Sequence, residues 1–179
     1  MFDVTAIGEL LIDMAQSGMS DISSPIFEAN PGGAPCNVLA MLNKLGRSTA
    51  FIGKVGDDIF GKKLKNIVES SGTDIGGLVF DENVRTTLAF VETDEYGDRN
   101  FSFYRAPGAD MMLREDEVNV DIIKQSRVLH FGTLSMTHDV VEKATVKAIE
   151  TAKDSACCCR STPISVLRSG TAWTGQSKK

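Results

Sequence analysis

Apolar positions along the chain change period several times, and each change marks an element. Residues 3–8, DVTAIG, read as a short strand ending on Gly8, and 9–13, ELLID, continue it to a carboxylate. Residues 15–31 lose the apolar rhythm and collect Gly18, Pro25, Asn30 and Pro31, a polar and turn-rich stretch. Helical spacing starts at 35–45, where Val38, Leu39, Met41, Leu42 and Leu45 form one stripe and Gly46 supplies a C-cap. A strand follows at 48–52, STAFI. A second helix runs from Asp58 to Ser71, with Ile59, Phe60, Leu64, Ile67 and Val68 on its apolar side.

Further on, 77–81 and 86–92 read as strands, and 94–99, DEYGDR, as a turn. Residues 100–105, NFSFYR, alternate as a half-buried strand does, so 86–92 and 100–105 pair as an antiparallel hairpin. Residues 126–132, SRVLHFG, form a buried strand, and 139–153 an amphipathic helix. The order β-α-β-α, hairpin, β-α implies an α/β core with an inserted sheet. After Asp154 the pattern carries no periodicity.

Composition sharpens that last boundary. The 179 residues carry a formal net charge of −5, yet every Asp and Glu lies at or before Asp154. Residues 1–154 hold 15 basic against 24 acidic residues, while 155–179 hold Arg160, Arg168, Lys178 and Lys179 and no acid. The length is that of one domain. The acidic balance argues against nucleic acid as a partner. No apolar run approaches the roughly 20 residues of a membrane span, so no membrane partner is expected. The N-terminus lacks a basic n-region, so it is not a signal peptide, and a cytoplasmic setting is expected. Cys157, Cys158 and Cys159 are consecutive, which is neither a zinc spacing nor a disulfide geometry. No metal site is expected.

Four places carry candidate chemistry. Gly32-Gly33-Ala34-Pro35-Cys36-Asn37 leads into a helix. Paired glycines let a ligand approach the backbone, and Asn37 can both donate and accept; an ordinary turn would look the same. Asp13 ends the first strand, where ligands of open α/β sheets bind, and its carboxylate could hold two sugar hydroxyls or simply face solvent. In the loop from Gly53 to Gly61, Asp57 or Asp58 can N-cap the following helix. Arg105 closes the hairpin, placed either for a sugar oxygen or carboxylate or for a surface salt bridge, and Pro107-Gly108-Ala109-Asp110 turns the chain back.

Taken in order, GELLIDM (8–14), NPGGAPCNVLAMLNKLG (30–46), FIGKVGDDIFG (51–61), FSFYRAPGADMML (101–113) and LHFGTLS (129–135) resemble the PfkB, or ribokinase-type, family of carbohydrate kinases. The likeness covers 1–154 and is greatest for the bacterial fructokinases, with 2-keto-3-deoxygluconate kinases next. It implies an α/β fold, the N-terminal part of a ribokinase-like doubly wound sheet, with a small inserted β-sheet lid contributed by about 14–30 and 85–108. It implies transfer of the ATP γ-phosphoryl group to the hydroxyl of a small-molecule sugar, with Mg2+. Asp13, Gly33 and Asn37 match sugar-contacting positions, Gly32 the loop that lets the sugar approach, and Arg105 a lid-side contact. A homodimer through the lid is implied for the intact enzyme. Leu39 stands where Ala is commoner, a packing change.

The family's catalytic base sits in a DTxGAGD motif that is absent from these 179 residues, together with the ATP site that accompanies it. Phosphoryl transfer rests on positioning and charge stabilisation, so no useful catalysis is expected of this chain alone. The other readings are a 2-keto-3-deoxygluconate kinase-like enzyme, or a non-catalytic sugar-binding or pseudogene fragment. A nucleoside kinase fits FSFYR and NPGGAPCN less well. The family continues with D-P-N-x-R-x-x-L-W where this chain reads STPISVLRSGTAW. Shifted by one nucleotide, one codon choice for Ser161 to Gly175 encodes DPNIRAPLWDSLDG. The same shift turns the cysteine run into leucines. Residues 155–179 are therefore expected to be a frameshifted tail. The truncated sheet is expected to be poorly soluble or self-associating.

Overall fold

The computed structural model describes residues 1–93, 99–155 and 157–162. Two sheets share the chain. The first contains β1 (Phe2–Ile7), β4 (Thr49–Gly56), β5 (Asp74–Asp81), β8 (Ser126–Gly132) and β9 (Cys158–Thr162), in the order β5-β4-β1-β8-β9 with every pairing parallel. The second contains β2 (Leu11–Met19), β3 (Pro25–Gly32), β6 (Leu88–Thr93) and β7 (Arg99–Tyr104), in the order β3-β2-β6-β7. Its β2–β3 and β6–β7 pairs are antiparallel, and β2–β6 is parallel. The helices are α1 (Ala34–Lys44), α2 (Ile59–Ser70), the short α3 (Val120–Lys124) and α4 (Asp139–Asp154).

A parallel sheet needs both faces covered, and its strands alternate between two cores. Ala6 of β1 and Phe51 of β4 join Leu39 of α1 and Leu64 and Val68 of α2 on one side. Ile7 and Ile52, one residue along, join Ile122 and Ile123 of α3 and Val141, Ala144 and Ala148 of α4 on the other. All eight residues of β4 are buried. From β1 the chain winds outward to β4 and β5, then returns to β8 and β9 beyond the opposite edge of β1. That reversal puts a topological switch point between β1 and β8.

The sequence pattern located β1, β4, both helices of the first half, the β6–β7 hairpin, β8 and α4. Three readings need correction. Residues 9–13 do not continue the first strand: β1 stops at Ile7, and β2 begins at Leu11 in the other sheet. Leu10, Leu11 and Ile12 are buried like strand residues, so the apolar run hides the break. Residues 15–31 are not merely turn-rich. They form most of β2 and β3, joined by a turn at Ser20–Ser24. Pro25 starts β3 and Pro31 lies within it, which is tolerated because β3 is an edge strand. The strand read at 77–81 begins at Asp74, and Cys158–Thr162 adds the unexpected β9. The turn read at 94–99 falls, apart from Arg99 at the start of β7, outside the described residues, as do 156 and 163–179 of the tail.

Between β4 and α2, Asp58 is the N-cap. Its Oδ1 accepts from Phe60 N (3.0 Å) and Gly61 N (2.8 Å), and its Oδ2 accepts from Thr86 N (2.8 Å). Partial burial alone would raise its pKa, but the amides of Thr86 and Gly61, the Thr86 hydroxyl and the Phe60 amide outweigh that and hold it below the ordinary Asp value. A carboxyl so depressed stabilises the fold fully above its unfolded-state pKa. That stabilisation is lost as pH falls through the folded value. We expect Asp58→Ala to cost about 1–2 kcal/mol at neutral pH. The gap to wild type should narrow below about pH 4, as read by urea unfolding across pH.

Candidate functional site

The chain crosses from the first sheet to the second through Gly8, Glu9 and Leu10, and the residues of interest gather around that crossing. Asp13 lies in β2 directly opposite Asn30 of β3, and opposite Ala89 of β6, which in turn faces Phe103 of β7. Directly paired residues point to one side of a sheet, so Asp13, Asn30, Ala89 and Phe103 share a face. The half-buried Asp13 carboxylate lies over the Cα of Gly32: a Cβ there would sit 2.7 Å from Asp13 Cγ. Only glycine permits that approach.

Gly33 follows with φ +120°, left-handed-region backbone that disfavours a side chain, and its Cα is pressed against the Glu9 carbonyl oxygen. It is the N-cap of α1 and has no side chain to cap with. Glu9 does this instead: its Oε1 accepts the Ala34 N–H at 3.1 Å. Pro35, in the first turn of the helix, needs no amide partner and packs on Gly8, where a Cβ would come within 2.6 Å of Pro35 Cγ. One turn into α1, Asn37 is exposed, its own amide bonded to Gly33 O at 3.1 Å. Asp13, Gly32, Gly33 and Asn37 therefore stand together on β2, the end of β3 and the start of α1.

Arg105 joins them from just beyond β7. Its Nε (2.8 Å) and Nη2 (2.6 Å) both approach Asp110 Oδ2, and Nη1 donates to Thr137 Oγ1 at 3.3 Å. Asp110 is 3% exposed, and its Oδ1 accepts from the Thr87 hydroxyl. A guanidinium offers five N–H donors, so Nη1 retains a second hydrogen to direct elsewhere. The surface salt bridge considered for Arg105 is thus an ion pair with a buried acid. Glu9 lies within electrostatic range of both members of that pair. Burial pushes the Glu9 carboxyl above the ordinary range; its own and the Ala34 amides oppose this, Asp110 adds to it, and Arg105 offsets it. Burial likewise pushes the Cys36 thiol far up, with Glu9 adding to the effect, so Cys36 is an inert thiol.

Sequence reasoning missed Glu9 and Asp110. Glu9 sat inside an apolar run and Asp110 inside a turn. Their partners, Ala34 and Thr87, are 25 and 23 residues away, beyond the reach of periodicity. The one available signal was a charged residue in the otherwise apolar stretch from Ile7 to Ile12. Among the described residues no three His, Cys, Asp or Glu side chains converge as a metal cradle, and no step is derived through a metal.

The profile of the pfkB family carbohydrate kinases matches residues 1–173. A probable fructokinase-5 of Arabidopsis thaliana is 46% identical over 154 residues, which is 85% of this chain and 48% of the relative. Fructokinase-1 of Zea mays is 45% identical, with the same shares covered. A fructokinase with bound ATP from Xylella fastidiosa superposes with a TM-score of 0.83 at 29% identity, covering 90% of this chain and 51% of that one. The chain thus spans about half the length of the relatives it matches. It belongs to the pfkB family of carbohydrate kinases.

Proposed function

We propose that the chain carries the sugar-binding half of a fructokinase-like kinase, an enzyme that transfers the ATP γ-phosphoryl group to a sugar hydroxyl. One observation carries the reading: the Asp13 carboxylate is laid over the bare Cα of Gly32, beside the exposed Asn37 at the start of α1. A carboxylate accepts from neighbouring hydroxyls of a polyol, and an amide both donates and accepts. Gly32 and Gly33 leave the backbone open to the ring, and the second hydrogen of Arg105 Nη1 supplies a donor from the side of the second sheet, which serves as the lid. The matched charges of Arg105 and Asp110 favour a neutral sugar over a 2-keto-3-deoxygluconate, whose carboxylate would call for an uncommitted cation.

The catalytic base and the phosphate-facing amides are supplied in this family by a motif not found among the 179 residues. The chain by itself is therefore proposed to bind sugar without turnover. Calorimetric titration with fructose should show saturable binding, at least tenfold weaker in Asp13→Ala, the scale of a lost charge-assisted hydrogen bond. ADP release from ATP plus fructose should stay at background. A folded wild-type chain with no affinity for fructose would refute the reading, and fructose-dependent ADP release would refute the lack of turnover.

The second sheet also supports self-association. Phe101 and Phe103 stack at 6.1 Å and are 52% and 43% exposed. Sedimentation should show a dimer that Phe101→Asp shifts toward monomer; an unchanged sedimentation coefficient counts against a lid dimer. For the acid-free tail, the proposed frameshift is checked by sequencing the DNA through the codons for Lys153 to Lys179. A one-base shift should restore D-P-N-x-R-x-x-L-W, and an uninterrupted frame without it refutes the idea.

A further inference from the structure

Glu9 is the most deeply buried acid of the described chain at 2% exposure, and it is placed where three segments meet. It belongs to the three-residue crossing between β1 and β2. Its carbonyl oxygen presses on Gly33, and its Oε1 takes the first amide of α1. Its Oε2 has no hydrogen-bond partner among the described residues, and faces the end of β8, where a Cβ on Gly132 would come within 3.0 Å of it. Nearby, the buried Ser135 hydroxyl also lacks a partner. A Cβ on Gly8 would lie 3.3 Å from that hydroxyl.

A buried, half-satisfied carboxyl is costly, and a leucine of similar size would pack there without the cost. What the carboxyl supplies and leucine cannot is an acceptor for Ala34. Gly33 has the left-handed φ that lets it follow Gly32 into the helix, but no side chain with which to cap. An acidic group at a helix N-terminus also interacts favourably with the helix dipole. Through Oε1 and its carbonyl, Glu9 therefore fixes Gly33 and Ala34 from below. Gly32 and Asn37, one residue before and three residues after that pair, inherit the position.

We propose that Glu9 is a positioning residue for the sugar loop: its carboxyl holds the Gly33–Ala34 backbone, and thereby sets Gly32 and Asn37 against the sugar. This rests on the sugar-binding reading above. Glu9 touches no ligand itself. Its effect passes through one hydrogen bond, which can be removed from either end. Glu9→Leu removes the acceptor, whereas Glu9→Gln keeps an oxygen in the same place. Ala34→Pro removes the donor at the first helical position, where proline is favoured, and the Gly33 ψ of 116° suits a following proline.

The test is fructose affinity of the full chain, measured by calorimetry where circular dichroism shows each variant folded. Hydrogen exchange of the Ala34 amide is read by NMR in parallel. Glu9→Leu and Ala34→Pro should each weaken fructose binding about tenfold, and the double variant should be no weaker than either single one, because one bond is lost in all three. Glu9→Gln should stay within about threefold of wild type. Ala34 exchange should quicken in Glu9→Leu and not in Glu9→Gln. Binding within twofold of wild type in a folded Glu9→Leu, or additive losses in the double variant, overturns the proposal. If Glu9→Leu does not fold, a loss in Glu9→Gln as large as that in Ala34→Pro overturns it. Should the wild type fail to bind fructose, the sugar reading falls, while Ala34 exchange in Glu9→Gln against Glu9→Leu still decides whether Glu9 holds the loop.

Discussion

The architecture turns on a close approach of backbones where β1 hands over to β2. For the chain to leave one sheet and enter another within three residues, Gly8, Gly32 and Gly33 must come together without side chains between them. Pro35 closes on Gly8, the Glu9 carbonyl on Gly33 and the Asp13 carboxylate on Gly32. A Cβ on Gly33 would meet the Glu9 backbone, while one on Gly32 or Gly8 would displace the Asp13 and Leu11 side chains or the Pro35 ring. The sugar-site residues are thus by-products of a packing requirement: the turn that joins the sheets is also the turn that leaves a bare backbone surface beside a carboxylate.

The same economy governs the buried charges. Lys54, on the otherwise apolar β4, is 3% exposed, and its Nζ lies 3.0 Å from Asp81 and 2.9 Å from Glu117. Arg105 is held by Asp110. Lys54 is paired with acids from two other segments and ties them to β4, whereas Arg105–Asp110 closes a local turn and reaches another segment through the Thr87 hydroxyl on Asp110. Removing one partner would strand the other, which is why such pairs specify arrangement more than they add stability. Glu9 differs. It is an acid held by amides with no cation bonded to it, and burial accordingly pushes its carboxyl up. Its retention makes sense where an acceptor at that spot is worth more to the loop than an apolar side chain would be.

Legibility in the sequence followed the number of covered faces. β4 and β8 are enclosed and α1, α2 and α4 carry one stripe each, so 35–45, 58–71, 126–132 and 139–153 were readable from period alone. β2 and β3 were not, because their outer residues face solvent: Gln16 to Met19 and Pro25 and Ile26 are exposed. With neither alternation nor an apolar run, only pairing across the sheet defines them. α3 is five residues long, below the length at which a helical stripe can be told from chance. Asp13, and Gly32, Gly33 and Asn37, could be singled out because they fall within two short motifs, 8–14 and 30–46. Asp110 and Glu9 were not, since their meaning lies in partners that only the fold brings near.

On the sugar-binding reading proposed above, the loop from Gly32 to Asn37 would be shaped without the residues that perform the chemistry. The close approaches at Gly32 and Gly33 and the Glu9–Ala34 hydrogen bond come from residues 9–34, Asp13 pairs with Ala89 of β6, and the Arg105–Asp110–Thr87 cluster lies beside the second sheet. Among the described residues, none of these contacts involves β9. Phosphoryl transfer requires substrate, base and phosphate to be fixed relative to one another, and a sub-ångström error in any of them slows it steeply. A sugar loop anchored from below by its own β1–β2 crossing meets its share of that demand locally. It presents the hydroxyl in a geometry that does not depend on the base being present. On the proposed reading, sugar binding and catalysis would be carried by separate stretches of chain.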